Sequence, residues 1–571
     1  MANYRRDLGR GGYGTYGEGQ RLDPETLPKL EWDTYNSFKG GYNSSDSRQN
    51  TPAGFSPYSC DVEVTANDRL RRAPGVLVAE ALPGHSPVQM VMHTSLGYVP
   101  ELLLFDPPYM GIRGASGATT WYNVGLPAAP RGFAHTHFGE ELIFSSGAGS
   151  VYRRLPGGTA LTALPQAPPA ETYATFGSRV FAGNVLSGGT QEPLGIMWSA
   201  ANSDSGDWSG SGSSYELLVS NTGAHEKIVA MLPLSFDIMA IMCRHSVWVG
   251  LRTGQLERPA DFQARKAAGA IHDRACALVG QAVAYLSDDG VRLFDGNVSS
   301  IISQEINADL LPLDQAALES YVVYYHEKTQ KLYVLTPDGT WIRDMFYQRW
   351  ERRSLVAKDA SVYPTSVTIG GVPRTTDFYN LFFLLDNQAA ARVLGLESHD
   401  ASDNAGVAMT PLWEFPLKQG RYGTQLVTHS QAMLNYSGAG SIKLYHPDTE
   451  GDYVETRRVE LPTATNRWLT TGLGATGTGL GSRLEILAGD VEVIELQTGF
   501  VVRGPRRERR VPAWPTEVAP GVYEHTTSDT RDAEWMYDSA TGHYVLTPSE
   551  LVPPDAVVAR LALVGNTVQE Y

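Results

Sequence analysis

The sequence predicts an all-β chain built from repeated antiparallel hairpins, and three observations predict it. First, between Leu234 and Trp350 short apolar, β-branched runs recur, each about four to seven residues long, as a strand of a packed sheet requires. They include Phe236-Asp-Ile-Met-Ala-Ile-Met, Ser246-Val-Trp-Val-Gly-Leu-Arg, Ala282-Val-Ala-Tyr-Leu-Ser and Lys331-Leu-Tyr-Val-Leu-Thr. Second, these runs stop at Thr253-Gly254, Asp289-Gly290 and Pro337-Asp338-Gly339, residues that accept a positive φ or pre-set a turn. Third, turn markers at Gly147, Gly206, Gly254, Gly290, Gly339 and Asn387 lie roughly 35–60 residues apart, close to the period of four-stranded propeller blades. The fold class expected is therefore all-β: a β-propeller of about six blades over residues 53–402.

The flanking regions have other textures. Residues 1–52 are rich in Gly, Tyr, Asn, Ser and Asp without periodicity, and read as an extended N-terminal arm with one short helical turn after Pro24. Residues 403–510 hold Gln425-Leu-Val-Thr-His, Ser441-Ile-Lys-Leu-Tyr, Arg483-Leu-Glu-Ile-Leu and Val491-Glu-Val-Ile-Glu-Leu. The alternation of Val491 and Val493 with Glu492 suits a half-buried antiparallel sheet, so this part reads as a β-sandwich-like or platform domain closing the propeller. Residues 511–571 form a small β-rich C-terminal extension. Two stretches read as short connecting helices, Ala260-Asp-Phe-Gln-Ala-Arg-Lys-Ala-Ala and Leu313-Asp-Gln-Ala-Ala-Leu-Glu-Ser.

Composition narrows function. With 571 residues, 58 Gly, 34 Pro and 42% hydrophobic residues, the chain is globular, turn-rich and long enough for several domains. Its formal net charge of −16 argues against gripping nucleic acid by phosphate neutralisation and suits a surface that nucleic acid slides past. Cys60, Cys243 and Cys276 have no metal-ligand spacing and are too few for a disulfide framework, so they read as reduced thiols of a protein made in a cytoplasm. No apolar run approaches the roughly 20 residues that span a bilayer, and no secretory signal is visible at the start.

Several phrases, in order along the chain, carry a resemblance. Cys60-Asp-Val, then a turn at Ala66-Asn-Asp, then Leu70-Arg-Arg-Ala-Pro-Gly75 opens the series. Phe138-Gly-Glu-Glu-Leu-Ile-Phe follows, then Thr175-Phe-Gly-Ser-Arg-Val-Phe-Ala-Gly-Asn184 with Met197-Trp-Ser and Gly206-Asp-Trp, and then Tyr285-Leu-Ser-Asp-Asp-Gly-Val with Asp295-Gly296. Together they resemble the β-propeller tail proteins of short-tailed bacteriophages, the nozzle or tail-hub proteins that stabilise packaged DNA. The resemblance implies a non-enzymatic structural protein of the virion tail, assembled in the host cytoplasm as a ring of six copies. It implies portal-adaptor and tail-fibre proteins as partners, and double-stranded DNA passing through the channel without specific binding. The alternative reading is a receptor- or glycan-binding tail-tip propeller, and behind it a propeller glycoside hydrolase.

Candidate chemistry is sparse, and no catalytic, cofactor-binding or metal residue is assigned. His135-Thr-His137 with Glu140 and Glu141 is similar to the first metal motif of cupins, since histidines two apart share one face of a strand, but no second His motif follows. These residues read as strand-edge polar groups. Gly472-Leu-Gly-Ala-Thr-Gly477 matches a dinucleotide fingerprint literally, yet it leads into a strand instead of opening a helix. Thr336-Pro-Asp-Gly-Thr-Trp341 is similar to a sialidase Asp-box with one residue missing. Asp288-Asp289 and Glu140-Glu141 are neighbours that face opposite ways on a strand, so neither pair shares a proton. The basic run Arg503-Gly-Pro-Arg-Arg-Glu-Arg-Arg510 reads as a solvated or intersubunit strip. No cofactor is expected.

Overall fold

In a computed structural model the described residues are 30–505, apart from 48–49, 95–99, 115–116, 130–131, 148, 202–206, 211, 220–225, 313–314, 370–371, 387–391, 418–424, 449–451 and 479, together with six strands between 515 and 570. The fold is all-β. Among the described residues the only α-helix is Asn307–Leu310.

Six four-stranded blades follow one another in sequence, spanning residues 89–123, 134–163, 170–217, 228–265, 276–301 and 322–353. Each is an antiparallel meander whose first strand lies innermost. The expected count of about six is met by these contiguous blades, and one composite sheet completes the circle. In it Asp359–Ile369, Val372–Asp386 and Arg392–Ser398 are joined by Gly75–Leu82 from before the first blade, pairing in the register Leu396 to Leu77. Splitting one sheet between distant parts of the chain fastens the ring, because opening it would break a whole strand's ladder at once.

The second strand of each blade explains the unbroken apolar runs. Ile238–Cys243 and Leu102–Phe105 are packed on both faces by neighbouring blades, so alternation is not needed. Every seam has its own apolar cluster. Phe105, Phe133 and Phe144 fill the gap between blades 1 and 2, and Leu82, Phe382, Leu384 and Leu394 meet Met90, Leu102 and Leu104 where the ring closes. The hairpins at Asp289-Gly290 and Asp338-Gly339 form as expected, with Ser287 opposite Gly290 and Thr336 opposite Gly339.

One expected helix is a strand. Ala260–Arg265 is the outer strand of blade 4, paired with Val247–Arg252, and the ladder overrides the helix preference of its Ala, Gln and Arg residues. Gln315–Ser320, in the second expected helix, is a 3-10 turn.

An additional eight-stranded sheet forms the platform. It takes Glu31–Tyr35, Ser59–Cys60, Val62–Val64 and Leu70–Arg72 from before the propeller, and Leu412–Glu414, Gln425–Pro447, Tyr453–Thr478 and Arg483–Pro505 from after it. Three of these strands are 23, 26 and 23 residues long. They must fold over. His429 and His446 lie on one strand, where 17 extended residues would span roughly 55 Å, yet their rings are 4.4 Å apart. The bend falls at Gly438 and Gly489, both with positive φ. A Cβ on Gly438 would stand 1.7 Å from the Asp490 carbonyl oxygen, so the two strands touch backbone to backbone there. The folded strands enclose a core that includes Trp413, Phe415, Leu434, Tyr436, Ile442 and Leu484, and Val491 and Val493 are buried in it as expected, with Glu492 partly exposed.

The described part of the N-terminal segment is bound to its own chain. Glu31–Tyr35 pairs with the last long strand, Glu31 opposite Phe500, Phe38 is fully buried, and Gly41–Tyr42 runs parallel to Phe55–Ser56 at the edge of blade 6. The helical turn expected after Pro24 lies outside the described residues. Residues 504–571, with 424–426, form a second compact unit. It contains the pair Pro515–Ala519 and Val522–His525, and a four-stranded sheet of Glu534–Asp538, His543–Thr547, Arg560–Val564 and Thr567–Glu570. Of the basic run, Arg503-Gly504-Pro505 ends a platform strand and residues 506–510 lie outside the described residues.

Candidate functional site

The inner strands surround a central cavity of about 610 Å³. Both His135 and His137 face this cavity, as their spacing on one strand dictates. His135 Nδ1 lies 3.3 Å from the Phe133 carbonyl oxygen. Burial, with His135 and His93 nearby, pushes His137 down to about 4, so it is neutral at pH 7. Among the described residues no three His, Cys, Asp or Glu side chains converge to hold a metal. Across the cavity Arg274 is 3.1 Å from Asp359 and donates to the Val88 and Lys358 carbonyls, while Asp359 accepts the Met90 amide. Cys276 donates its thiol proton to the His272 carbonyl, and burial pushes that thiol well up, so it is no thiolate at neutral pH. The charged groups of the wall are thus paired with one another, while the buried Nε2 of His137 has no hydrogen-bond partner, and among the described residues no nucleophile of the wall is set against a base.

The other sequence candidates are equally structural. Asp288 takes both ends of the Arg244 guanidinium, at 2.9 and 3.0 Å, while Asp289 pairs with Arg292, so the adjacent carboxylates are neutralised separately. Glu141 pairs with Arg153. Thr336 donates to the Gly339 carbonyl at 2.8 Å, which closes a hairpin around the Asp-box-like phrase. The 472–477 glycine phrase lies inside the long strand Tyr453–Thr478 and opens no helix.

Chemistry instead gathers where the platform meets blade 6. Asp61, buried and at φ 53°, accepts from the Ser354 amide, the Ser354 hydroxyl and the Thr410 amide at 2.8, 2.7 and 2.9 Å. Two residues on, Glu63 lies 2.6 Å from Arg71, 3.1 Å from Lys331 and 4.0 Å from Arg353. Burial opposes its ionisation, but Lys331, Arg353 and Arg71 together hold its carboxyl at about 2. Glu351 accepts the Val64 amide at 3.1 Å, Arg349 donates to the Val64 carbonyl, and Arg353 bonds Glu397 of the closing sheet. Burial raises the pKa of Glu351. This cluster escapes sequence reading because charges in Arg349-Trp-Glu-Arg-Arg353 read as solvated. The signal available was their alternation around a strand whose Trp350 must be buried.

Two of the four phrases that carry the resemblance, Cys60 to Gly75 and Thr175 to Trp208, fall on such fastenings, while the Phe138 and Tyr285 phrases form ordinary blade hairpins. Cys60-Asp-Val opens the joint, and Gly75 begins the strand that closes the ring. In blade 3, Arg179 donates to the Ser199, Gly212 and Leu256 carbonyls, Val180 donates to the Ser199 hydroxyl at 3.1 Å, and Trp198 donates to the Gly212 carbonyl at 3.1 Å. Asp207 accepts the Gly210 amide beside the buried Trp208. Arg179, Trp198-Ser199 and Asp207-Trp208 are thus one corner.

No family model and no curated protein matches the chain. Among solved structures it is similar to virginiamycin B lyase from Staphylococcus aureus, at 9% identity over 65% of this chain and 99% of that one, with a TM-score of 0.35. BamB from Moraxella catarrhalis is similar at 11% identity over 59% and 94%, with a TM-score of 0.30. The C-terminal WD40 domain of Sif2 is similar at 11% identity over 57% and 97%, with a TM-score of 0.33. Likenesses this slight say nothing of substrate, ligand or partner.

Proposed function

We propose that this chain is a structural component of a short-tailed phage tail, a nozzle or hub protein that assembles as a ring below the portal and adaptor, retains packaged DNA and conducts it at ejection. The observation that carries this reading is that two of the four phrases that resemble that family coincide with fastenings of the fold: the Asp61 joint with the Gly75 closing strand, and the Arg179 corner. A cavity wall whose charged groups are paired with one another fits a scaffold better than a catalyst. The net charge of −16 fits a conduit, because carboxylates do not hold the phosphates that Lys and Arg would trap. Native mass spectrometry and electron microscopy of the purified full chain, alone and with adaptor and fibre proteins, test the reading. A closed ring that binds the adaptor is expected. A chain that stays monomeric with those partners, or that binds glycans as an isolated monomer, would overturn it.

A further inference from the structure

The seam between blades 1 and 2 is held at one end by a polar set that leaves no room for another proton. His93 ends the inner strand of blade 1, and its Nδ1 lies 2.7 Å from Arg154 Nη1 of blade 2. Its Nε2 lies 3.1 Å from the Glu140 carbonyl oxygen, in the first turn of blade 2. A guanidinium is a permanent donor, so Nδ1 must present a lone pair and Nε2 must carry the one ring proton. Arg154 is fully buried, and its other end is 2.7 Å from Glu101 of blade 1.

We propose that this seam is an acid-released latch, shut at neutral pH by neutral His93 accepting from Arg154 and opened when the imidazole takes a proton. Protonation sets N–H against N–H and adds a cation beside a buried one. Among the described residues Glu101 is the one carboxylate paired with Arg154 across this seam. Of the other groups nearby, the two histidines of blade 2 add to the effect, and the carboxylates beyond them offset part of it. His137 of blade 2 has its ring 5.5 Å from that of His93, and beyond it His135 faces Asp273, Arg274 and Asp359 across the cavity. Burial lowers the pKa of His93 and of His137 alike. The sign follows: an open seam binds protons that the closed seam refuses, so closure is fully favoured above about pH 6.5 and weakens as pH falls below it.

Hydrogen exchange of the full chain at pH 7.5, 6.5 and 5.5, corrected for intrinsic rates, tests this. Peptides covering 89–93 and 134–145 should open up to roughly tenfold more per pH unit per histidine below about pH 6.5, while blade 5 peptides covering 282–294, which contain no histidine, should not. His93→Asn keeps an acceptor for Arg154 but cannot be protonated, and should remove the His93 share of the seam's response, up to roughly tenfold per pH unit. Equal acid responses of seam and blade 5 in the native chain would overturn the proposal, as would an unchanged response in His93→Asn. The first comparison needs no variant, so a substituted chain that fails to fold leaves it decisive.

Discussion

Asp61 of the platform receives two hydrogen bonds from Ser354 of the propeller, one from the amide at 2.8 Å and one from the hydroxyl at 2.7 Å. With the Thr410 amide as third donor, one buried carboxylate ties the segment before the propeller to the two segments after blade 6. Asp61→Asn keeps the shape and tolerates the left-handed backbone, but turns an NH2 toward a donor. It should cost about 1–3 kcal/mol, read by denaturant unfolding, with hydrogen exchange rising first around residues 354–357.

Arg179 offers a second test. Its planar fork reaches three carbonyls on two connecting loops of blades 3 and 4, which a lysine's point charge cannot reproduce. Arg179→Lys should lose about 1–3 kcal/mol and expose residues 199–213 to limited proteolysis, leaving blade 6 protected.

The Glu63 cluster sets a pH dependence. Its folded pKa of about 2 lies below the unfolded value, so its contribution is present above about pH 4.5 and is lost as pH falls from about 5 toward 2. Glu351 has the opposite sign: its raised pKa gives a contribution present in acid and lost as pH rises. Glu63→Gln should cost about 3–5 kcal/mol at pH 7 and flatten the stability curve between pH 5 and 2. A curve parallel to that of the unsubstituted chain would show that Glu63 is not held by Lys331 and Arg353.

The platform bend is testable at Gly438, where an added Cβ meets the Asp490 carbonyl oxygen at 1.7 Å and φ is already positive. Gly438→Ala should cost more than about 2 kcal/mol and loosen the platform while the blades stay protected, as hydrogen exchange would register.

How much of this was legible in the sequence depends on the range of the cause. The hairpins at Asp289-Gly290 and Asp338-Gly339 were readable because a turn's requirement is local, and the middle strands because burial on both faces demands an unbroken apolar run. The closing strand Gly75–Leu82 was not, since its partner Arg392–Ser398 lies far along the chain and leaves no local mark. Ala260–Arg265 misled because its residues favour a helix and only the neighbouring strand overrides them. Gln425–His429 and Ser441–Tyr445 read as separate strands because Ser437-Gly-Ala-Gly440 resembles a break, whereas the glycines serve a bend within one strand. Of the candidate site, His135 and His137 could be placed on one face. The ionic joint could not be placed, because its members come from five strands, most of them far apart along the chain, and single charges read as solvated.

Electron cryomicroscopy of phage tails assembled in the presence of this chain tests the proposed conduit most directly. A closed ring of copies around the tail axis below the portal and adaptor is expected, with a bore whose wall is not predominantly basic and is narrowed by at least one loop per copy. A chain found off the axis as isolated copies, or a ring with a Lys- and Arg-lined bore open to duplex DNA throughout, would contradict it.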